Sequence, residues 1–260
     1  MSRVIYWSTT ALSLLFLIVP LLLVVPLSFN DSSFLTYPME GFTLKWFGEV
    51  FTQGQWTRSF ANSLKVALGA TVLGVAVGGL AATGVMLANR FLRVVLTGLF
   101  VSPLVIPSIV VGVAFAYSFG RLGLSGSYWG LVIAHAILGA PLAFLSVMTS
   151  LRGLDPNLDL AAASLGGSRL HRFWHVTLPM TMPGFLAAAL FTFITSFDEV
   201  VVALFLAAPD STTLPITLFS GLRDRLQPTI VVVALLLSLF SLALFYLMNW
   251  LRKRGRPQEQ

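Results

Sequence analysis

Two features that soluble proteins normally have are missing or scarce in this sequence. Its 260 residues include no cysteine, and only 10% of them are charged, whereas 57% are hydrophobic. Without cysteine there is no disulfide framework, no thiolate metal site and no cysteine nucleophile. Soluble chains carry about 25% charged residues, well above the 10% found here. Together with a mean hydropathy of +0.88, this low charge argues against a soluble enzyme or a nucleic-acid-binding domain. We therefore predict an integral membrane protein.

The charge that is present is mostly basic, with a formal net charge of +6. In a soluble protein this excess would suggest an anionic partner such as DNA. Membrane proteins, however, collect Lys and Arg at one water boundary. The excess therefore predicts how the chain is oriented in a lipid bilayer, and we expect no nucleic-acid partner.

Long apolar stretches dominate the rest of the sequence. A helix needs about 20 mostly apolar residues to cross a bilayer, and none of the stretches shows the strict alternation of barrel strands. The predicted fold class is α, a polytopic membrane protein in which residues 1–260 form a single transmembrane domain. Its six predicted transmembrane helices cover residues 7–29, 60–87, 94–119, 128–151, 182–207 and 229–251.

The distribution of basic residues predicts the orientation of these spans. Ten Lys and Arg residues lie in connections on one side and five on the other, which places both termini in the cytoplasm by the positive-inside rule. The first span is longer than a signal-peptide core and no A-x-A-like cleavage site follows it, so we expect an uncleaved anchor.

One predicted cytoplasmic connection, residues 152–181, is long enough to fold. Asp155 and Pro156 suit the start of a short helix, and Gly166 or Gly167 suits its left-handed end. Ser168 can cap a second short helix that ends near Leu178 and Pro179. The first helix carries a small-sided apolar stripe made of Leu158, Ala161, Ala162 and Leu165. This stripe suits either a docking surface, with Arg169 and Arg172 engaging carboxylates, or a surface helix packed only on its own bundle.

The spacing in this connection resembles a known motif. Ala161-Ala162, Gly166 and Leu178-Pro179 follow the pattern of the "EAA" loop in permease subunits of bacterial ABC importers. Leu160 stands at the family's glutamate position, and Asp159 precedes it. The resemblance implies a type I ABC importer permease fold and a loop that docks on a cytoplasmic ATPase. The implied coupling residues are Asp159, Ala161, Ala162, Gly166, Arg169, Leu178 and Pro179.

The resemblance extends over nearly the whole chain. Asn62-Ser63-Leu64, Pro103 with Pro107, and Leu178-Pro179 followed by Pro183-Gly184 are similar to the same ABC importer permeases. The stretches 196–201 and 212–215 look like the second permease of spermidine/putrescine importers and their close relatives. This implies a bacterial inner-membrane permease subunit forming half of the pathway for polyamines or a related cationic amine. A permease for another amino compound, such as an aminophosphonate or an opine, is the alternative within the family.

The same resemblance implies that this chain is not an enzyme. It has no Walker A string and is expected to hold no cofactor, so ATP and Mg²⁺ would be bound by a partner ATPase chain. The implied partners are two ATPase subunits, a second permease that is expected to be a distinct chain, and a periplasmic or extracellular substrate-binding protein.

Acidic residues in the fifth predicted span are the main candidates for the substrate pathway. A carboxylate at membrane depth costs about 2.5 to 3.5 kcal/mol unless it has a partner or water. Glu199 completes a polar stripe at helical spacing, and Asp198, about 100° away around the helix, is predicted to pair with Lys65. The other members of the stripe are Thr192, Thr195 and Ser196. The alternative, in which all of these groups are purely structural, remains open.

Four other patterns each have a structural and a functional interpretation. The string Gly123-Leu124-Ser125-Gly126 with His135 matches an intramembrane serine hydrolase, although Ser125 and His135 would lie about 15 Å apart along a helix. His171 and His175 share a helix face but lack a third ligand, so no metal is expected. Pro103 and Pro107 predict a bend in the third span, either a hinge or a fixed kink. Glycines 69, 74, 78 and 79 predict close helix packing.

Overall fold

Helices form nearly all of the regular secondary structure in the computed structural model, which describes residues 2–224 and 227–254. The predicted α class is confirmed. The α-helices are α1 (Ser2–Ser28), α2 (Lys45–Thr52), α3 (Gly54–Met86), α4 (Arg90–Val101), α5 (Ser108–Arg121), α6 (Tyr128–Arg152), α7 (Pro156–Ser164), α8 (Arg169–Arg172), α9 (Leu178–Phe197), α10 (Val201–Leu206), α11 (Leu214–Asp224) and α12 (Pro228–Arg254).

Five of these helical stretches are long and apolar enough to cross a membrane, within the part of the chain that the structure describes. A sixth crossing exists if α4 and α5, with the 3₁₀ turn Ser102–Val105 between them, are counted as one bent span. The two halves meet at 97°. Ile106 is extended just before Pro107, as expected for a residue that precedes proline. The predicted bend of the third span is therefore confirmed. The structure has the six predicted spans if α4 and α5 together form one bent crossing.

The described backbone divides into two compact units. The first comprises residues 2–58, 217–224 and 227–251, and the second comprises residues 59–216 and 252–254. The single-domain organisation stays a prediction. In the first unit, the connection after α1 folds back toward α2. The indole of Trp46 donates to the carbonyl of Asn30 at 2.8 Å, and the Asn30 amide donates to the carbonyl of Thr36 at 3.0 Å.

The second unit is built around α6, whose side chains are the most buried of any long helix. One apolar cluster joins α6 to α3 and α10 through residues that include Val66, Leu131 and Val202. A second cluster lies toward the other end of α6 and includes Phe144 and Ala188. Helix α6 thereby connects the helices that carry most of the candidate site residues.

Glycine allows the backbones of this unit to approach closely. A Cβ on Gly78 would lie 2.6 Å from the carbonyl oxygen of Ala140, on the facing helix α6. The side chain of Thr192, on α9, would block a Cβ at Gly74 from α3 and at Gly139 from α6. The predicted close packing of the α3 glycines is confirmed: the backbones of α3 and α6 meet at Gly78, and the Thr192 side chain of α9 fills the space at Gly74 and Gly139.

Candidate functional site

The 152–181 segment begins with the capped helix that its sequence predicts. The carboxylate of Asp155 accepts a hydrogen bond from the Asn157 backbone N–H at 2.9 Å, and Pro156 is the first residue of α7. Gly166 follows α7 with φ of +84°, the left-handed conformation that favours glycine. The hydroxyl of Ser168 then accepts from the backbone of His171 at 3.3 Å and starts α8. These local predictions are confirmed.

The second helix, however, does not end near Leu178 and Pro179. After α8 the chain makes a π-helical turn, Phe173–Thr177, and continues directly into α9. Pro179 has no N–H to donate, and its ring would crowd the carbonyl four residues earlier in an α-helix. The π turn changes the hydrogen-bond register just before this proline. One helical path therefore runs from the 152–181 segment to Phe197.

The exposed surface of the 152–181 segment is apolar and basic. Leu165 is 90% exposed and Leu160 is 62% exposed. Leu170 and Trp174 are also exposed. We call these four residues the apolar face. Of the implied coupling residues, Ala162 and Leu178 are half-buried, and the rest are exposed: Asp159, Ala161, Gly166, Arg169 and Pro179.

Asp159 is engaged within the segment. Its carboxylate forms an ion pair with the guanidinium of Arg172 at 2.9 Å, across the Gly166–Gly167 turn. The expected role for Asp159, standing in for the family's glutamate at an ATPase contact, would require breaking or sharing this pair. Sequence spacing contains no signal for the pair, because the two residues are 13 positions apart on different helices.

The predicted polar stripe of α9 packs against α6. Thr192 and Ser196 are fully or almost fully buried, and the Ser196 hydroxyl lies 2.9 Å from Nδ1 of His135. The Thr192 hydroxyl donates to the carbonyl of Gly139 at 3.4 Å. Of the three stripe residues within α9, only Thr195 is half-buried rather than buried. Thr192 and Ser196 therefore join α9 to α6 in this structure, and the prediction that they belong to the substrate pathway stays a prediction.

The fifth predicted span is also discontinuous. Helix α9 ends at Phe197, and α10 starts at Val201. The carboxylate of Glu199 accepts from the Val202 N–H at 2.8 Å, which satisfies one of the free donors at the start of α10. The 20 residues of α9 extend about 30 Å at 1.5 Å per residue, enough to cross a bilayer alone. The acidic pair thus follows the end of a complete crossing, with Asp198 exposed and Glu199 half-buried.

The predicted ion pair between Lys65 and Asp198 is absent. The ion pairs within residues 2–224 and 227–254 are Lys45–Glu49 and Arg172–Asp159. The ring of Phe197 contacts that of Phe60, so the end of α9 lies level with Phe60. Lys65 is five residues further along α3, about 7.5 Å deeper. It lies instead over the ring of Tyr128, 5.9 Å from its centroid.

A polar hub that the sequence did not predict fixes the connection between α10 and α11. The side-chain amide of Asn62 donates to the carbonyls of Asp210 and Thr212, both at 2.9 Å. Tyr128 donates its hydroxyl hydrogen to the Asn62 side-chain oxygen. The Ser63 hydroxyl accepts from the first N–H of α11, that of Leu214, at 2.8 Å. The Asn62-Ser63-Leu64 and Thr212-Thr213-Leu214-Pro215 strings were noted in the sequence only as family motifs. In the structure they contact each other and together hold the connection between α10 and α11.

Asn62→Ala is expected to loosen this connection. The substitution removes both amide donors, and losing the two hydrogen bonds to the carbonyls of Asp210 and Thr212 costs about 2 kcal/mol. Hydrogen exchange of residues 208–214 should accelerate about thirtyfold, the factor that corresponds to 2 kcal/mol. Tyr128→Phe is the matched control, because it removes one hydroxyl and keeps both amide bonds. Equal exchange in Asn62→Ala and the wild type would contradict the assigned role.

The other sequence candidates do not form reactive centres. Ser125 lies in the turn before α6, where Gly123 and Gly126 have positive φ. His135 is buried in α6 and bonded to Ser196 rather than to Ser125. The rings of His171 and His175 stack at 4.0 Å, and no group of three metal-ligating side chains includes them among the described residues.

Comparison with known proteins decides the family. The family model "Binding-protein-dependent transport system inner membrane component" matches residues 74–257. The chain belongs to this family. It is a multi-pass inner-membrane permease subunit of an ABC importer and not itself an enzyme, so the alternative of an intramembrane serine hydrolase has no support.

Curated relatives align with the permease over most of its length. The "Spermidine/putrescine transport system permease protein PotC" of Haemophilus influenzae is 26% identical over 92% of this chain and 93% of its own. The "Putrescine transport system permease protein PotI" of Escherichia coli K12 is 31% identical over 85% of this chain and 81% of its own. PhnV of Salmonella choleraesuis, named as a putative 2-aminoethylphosphonate transport system permease, is 31% identical over 82% and 83%.

A solved structure shares the fold. A bacterial ABC transporter that imports the acidic polysaccharide alginate contains a chain that superposes with a TM-score of 0.75, at 14% identity, over 97% of this chain and 94% of that one. At this identity the likeness concerns the fold alone, and it confirms the predicted importer permease architecture.

Proposed function

We propose that this permease forms half of the translocation pathway for a polyamine or a related cationic amine. The observation that carries the proposal is the similarity to two polyamine permeases over at least 85% of the chain. The exposed carboxylate of Asp198, at a break between two helices, supports it. An acidic group at the end of a membrane crossing attracts a cation as it leaves water.

The energy for transport comes from a separate ATPase, which docks on the 152–181 segment. The apolar face exposes four large hydrophobic side chains to solvent, and an exposed patch of this kind is typical of a surface that another protein covers. Arg169, exposed beside this face, supplies a cation for an acidic group on the ATPase. Two ATPase subunits bind the ATP and Mg²⁺, and this chain contributes the docking surface.

The remaining partners follow from the same assembly. A second permease, encoded as a distinct chain, completes the pathway, and a binding protein delivers the substrate from outside. Both termini lie in the cytoplasm, because the predicted basic excess occupies the same side as the 152–181 segment.

Glu199→Gln tests the role of the acidic pair. The glutamine oxygen can still accept from Val202, so α10 keeps its start while the charge is lost. In proteoliposomes containing the whole transporter, the KM for putrescine or spermidine should rise about tenfold, equivalent to 1.4 kcal/mol of lost attraction. Asp198→Asn should act in the same direction. ATPase association should not change.

Asp210→Asn is the matched control for these variants. Asp210 is also an exposed acid, but its backbone carbonyl, not its carboxylate, accepts the bonds from Asn62 and Tyr128. Its neutralisation should leave the KM unchanged. Identical uptake kinetics in wild type, Glu199→Gln and Asp198→Asn would remove the acidic pair from the pathway.

A zwitterionic aminophosphonate is the second candidate substrate. Lys65 is exposed and has no ion-pair partner in the described part of the chain. A phosphonate would pair with this cation while its amine pairs with an acid. The same transport assay separates the candidates, because Lys65→Met should weaken uptake of 2-aminoethylphosphonate and leave polyamine uptake intact.

A further inference from the structure

The two helices of the 152–181 segment are joined by the guanidinium of one half-buried residue, Arg172. Arg172 uses the same Nη1 atom to donate to the carboxylate of Asp159 at 2.9 Å and to its backbone carbonyl at 3.2 Å. The Arg172 side chain is only 17% exposed, whereas that of Asp159 is 55% exposed. An arginine so covered, with its bonds directed at one residue of the neighbouring helix, holds α7 against α8.

The turn between these helices tightens the joint. A Cβ on Gly167 would lie 2.9 Å from the carbonyl oxygen of Ala162 and 3.1 Å from Cγ of Arg172. The stem of Arg172 therefore packs on the turn while its head binds α7. Both the backbone and the ion pair restrict how α7 can move relative to α8.

Arg172 is also the last residue of α8, where the long helical path toward Phe197 begins. Beyond the π turn, that path interlocks with α6, because Ser150 would block a Cβ at Gly184 and Thr192 would block one at Gly139. Movement of α7 can therefore reach this long helix by two routes, the Gly166–Gly167 turn and the Asp159–Arg172 ion pair. The far end of this helix is Phe197, directly before Asp198 and Glu199.

We propose that the Asp159–Arg172 ion pair is the mechanical joint through which movement of α7 is transmitted to α9. Asp159 and Arg172 are positioning residues in this arrangement, and Arg169 is the cation left for the partner. The proposal rests on the proposed docking of an ATPase on the 152–181 segment. It changes the role expected for Asp159, which acts inside the chain and not as a direct contact to the ATPase.

The decisive measurement is the number of substrate molecules taken up per ATP hydrolysed by the reconstituted transporter. Asp159→Ala and Arg172→Met should each lower this ratio about fivefold or more, because ATP hydrolysis continues while α9 no longer follows α7. The permease should still co-purify with its ATPase. The exchange variant Asp159→Arg with Arg172→Asp should recover most of the ratio, since it restores an ion pair between the same positions.

Lys45→Gln is the matched control, because it removes the ion pair Lys45–Glu49, which lies outside the 152–181 segment. It should leave the ratio unchanged. Loss of ATPase co-purification in Asp159→Ala, without recovery in the exchange variant, would instead make Asp159 a direct docking residue and overturn the joint.

A second readout is independent of the ATPase. In the purified full-length permease, hydrogen exchange of the α7 backbone should be about tenfold faster in Arg172→Met than in the wild type, with α6 unchanged. If hydrogen exchange of α7 is the same in Arg172→Met and the wild type, the proposed role of the ion pair is wrong, even if the ATPase does dock on the 152–181 segment. Faster exchange, combined with failure of the wild-type chain to bind any ATPase, would refute the proposed docking and leave the ion pair as a local constraint.

Discussion

Gly166→Asp is expected to reduce recovery of the ATPase with the affinity-purified permease about a hundredfold, or about 2.7 kcal/mol. Gly166 has φ of +84°, and a Cβ placed there would find no atom of this chain within 4 Å. The cost within the permease is therefore limited to the left-handed backbone, about 1 to 2 kcal/mol. The larger loss comes from burying an unpaired carboxylate in the docking surface, next to Leu165.

Gly123→Asp provides a closely matched control for this prediction. Gly123 has φ of +67°, and a Cβ added to it would also meet nothing within 4 Å, but it lies in the turn between α5 and α6. Both variants carry the same backbone strain and the same added charge. Equal ATPase recovery with the two variants would show that the docking surface lies elsewhere.

Gly78→Leu should prevent the second unit from folding. Its Cβ would lie 2.6 Å from the carbonyl oxygen of Ala140 and 2.7 Å from the backbone nitrogen of Phe144, so backbone and not a flexible side chain has to move. Overpacking of this kind costs about 3 kcal/mol or more. We expect the variant to be recovered mostly as aggregate, and the folded remainder to unfold at a clearly lower temperature, as measured by fluorescence-detected size-exclusion chromatography after heating.

Gly84→Leu separates packing from helix propensity. Gly84 lies in the same helix, α3, and a Cβ there meets nothing within 4 Å. Both substitutions gain about 1 kcal/mol of helix propensity, so the difference between them reports the contact of α3 with α6. Similar melting temperatures for the two variants would mean that α3 and α6 do not interlock in the folded permease.

Features that depend on neighbouring residues were predictable from the sequence. The cap at Asp155, the first-turn proline, the left-handed Gly166 and the cap at Ser168 all form within a few residues of one another. The bend at Pro103 and Pro107 has the same origin, because proline restricts its own backbone and that of the preceding residue. Membrane spans follow from apolar length alone.

Predictions failed at a helix break that hydropathy does not reveal and where a contact joins distant parts of the chain. Treating residues 182–207 as one helix placed Asp198 too deep and suggested a pair with Lys65. Hydropathy does not reveal that the Glu199 carboxylate accepts a hydrogen bond from the Val202 N–H at the start of α10. Helical spacing correctly grouped Thr192 with Ser196, but it cannot tell a face toward water from a face toward another helix.

The sequence by itself therefore determined that this protein crosses the membrane in several helices, belongs to the importer permeases and carries a capped helix–glycine–helix segment. The membrane spans depend on composition and the helix–glycine–helix segment on interactions a few residues apart, whereas the family was indicated by the resemblance of its motifs to those of known permeases. Only the tertiary structure decided that Asp159 binds Arg172, that Asn62 fixes the connection before α11, and that the α9 polar stripe is buried against α6. These contacts require distant segments to meet, and their partners are selected by helix packing, which no local pattern specifies.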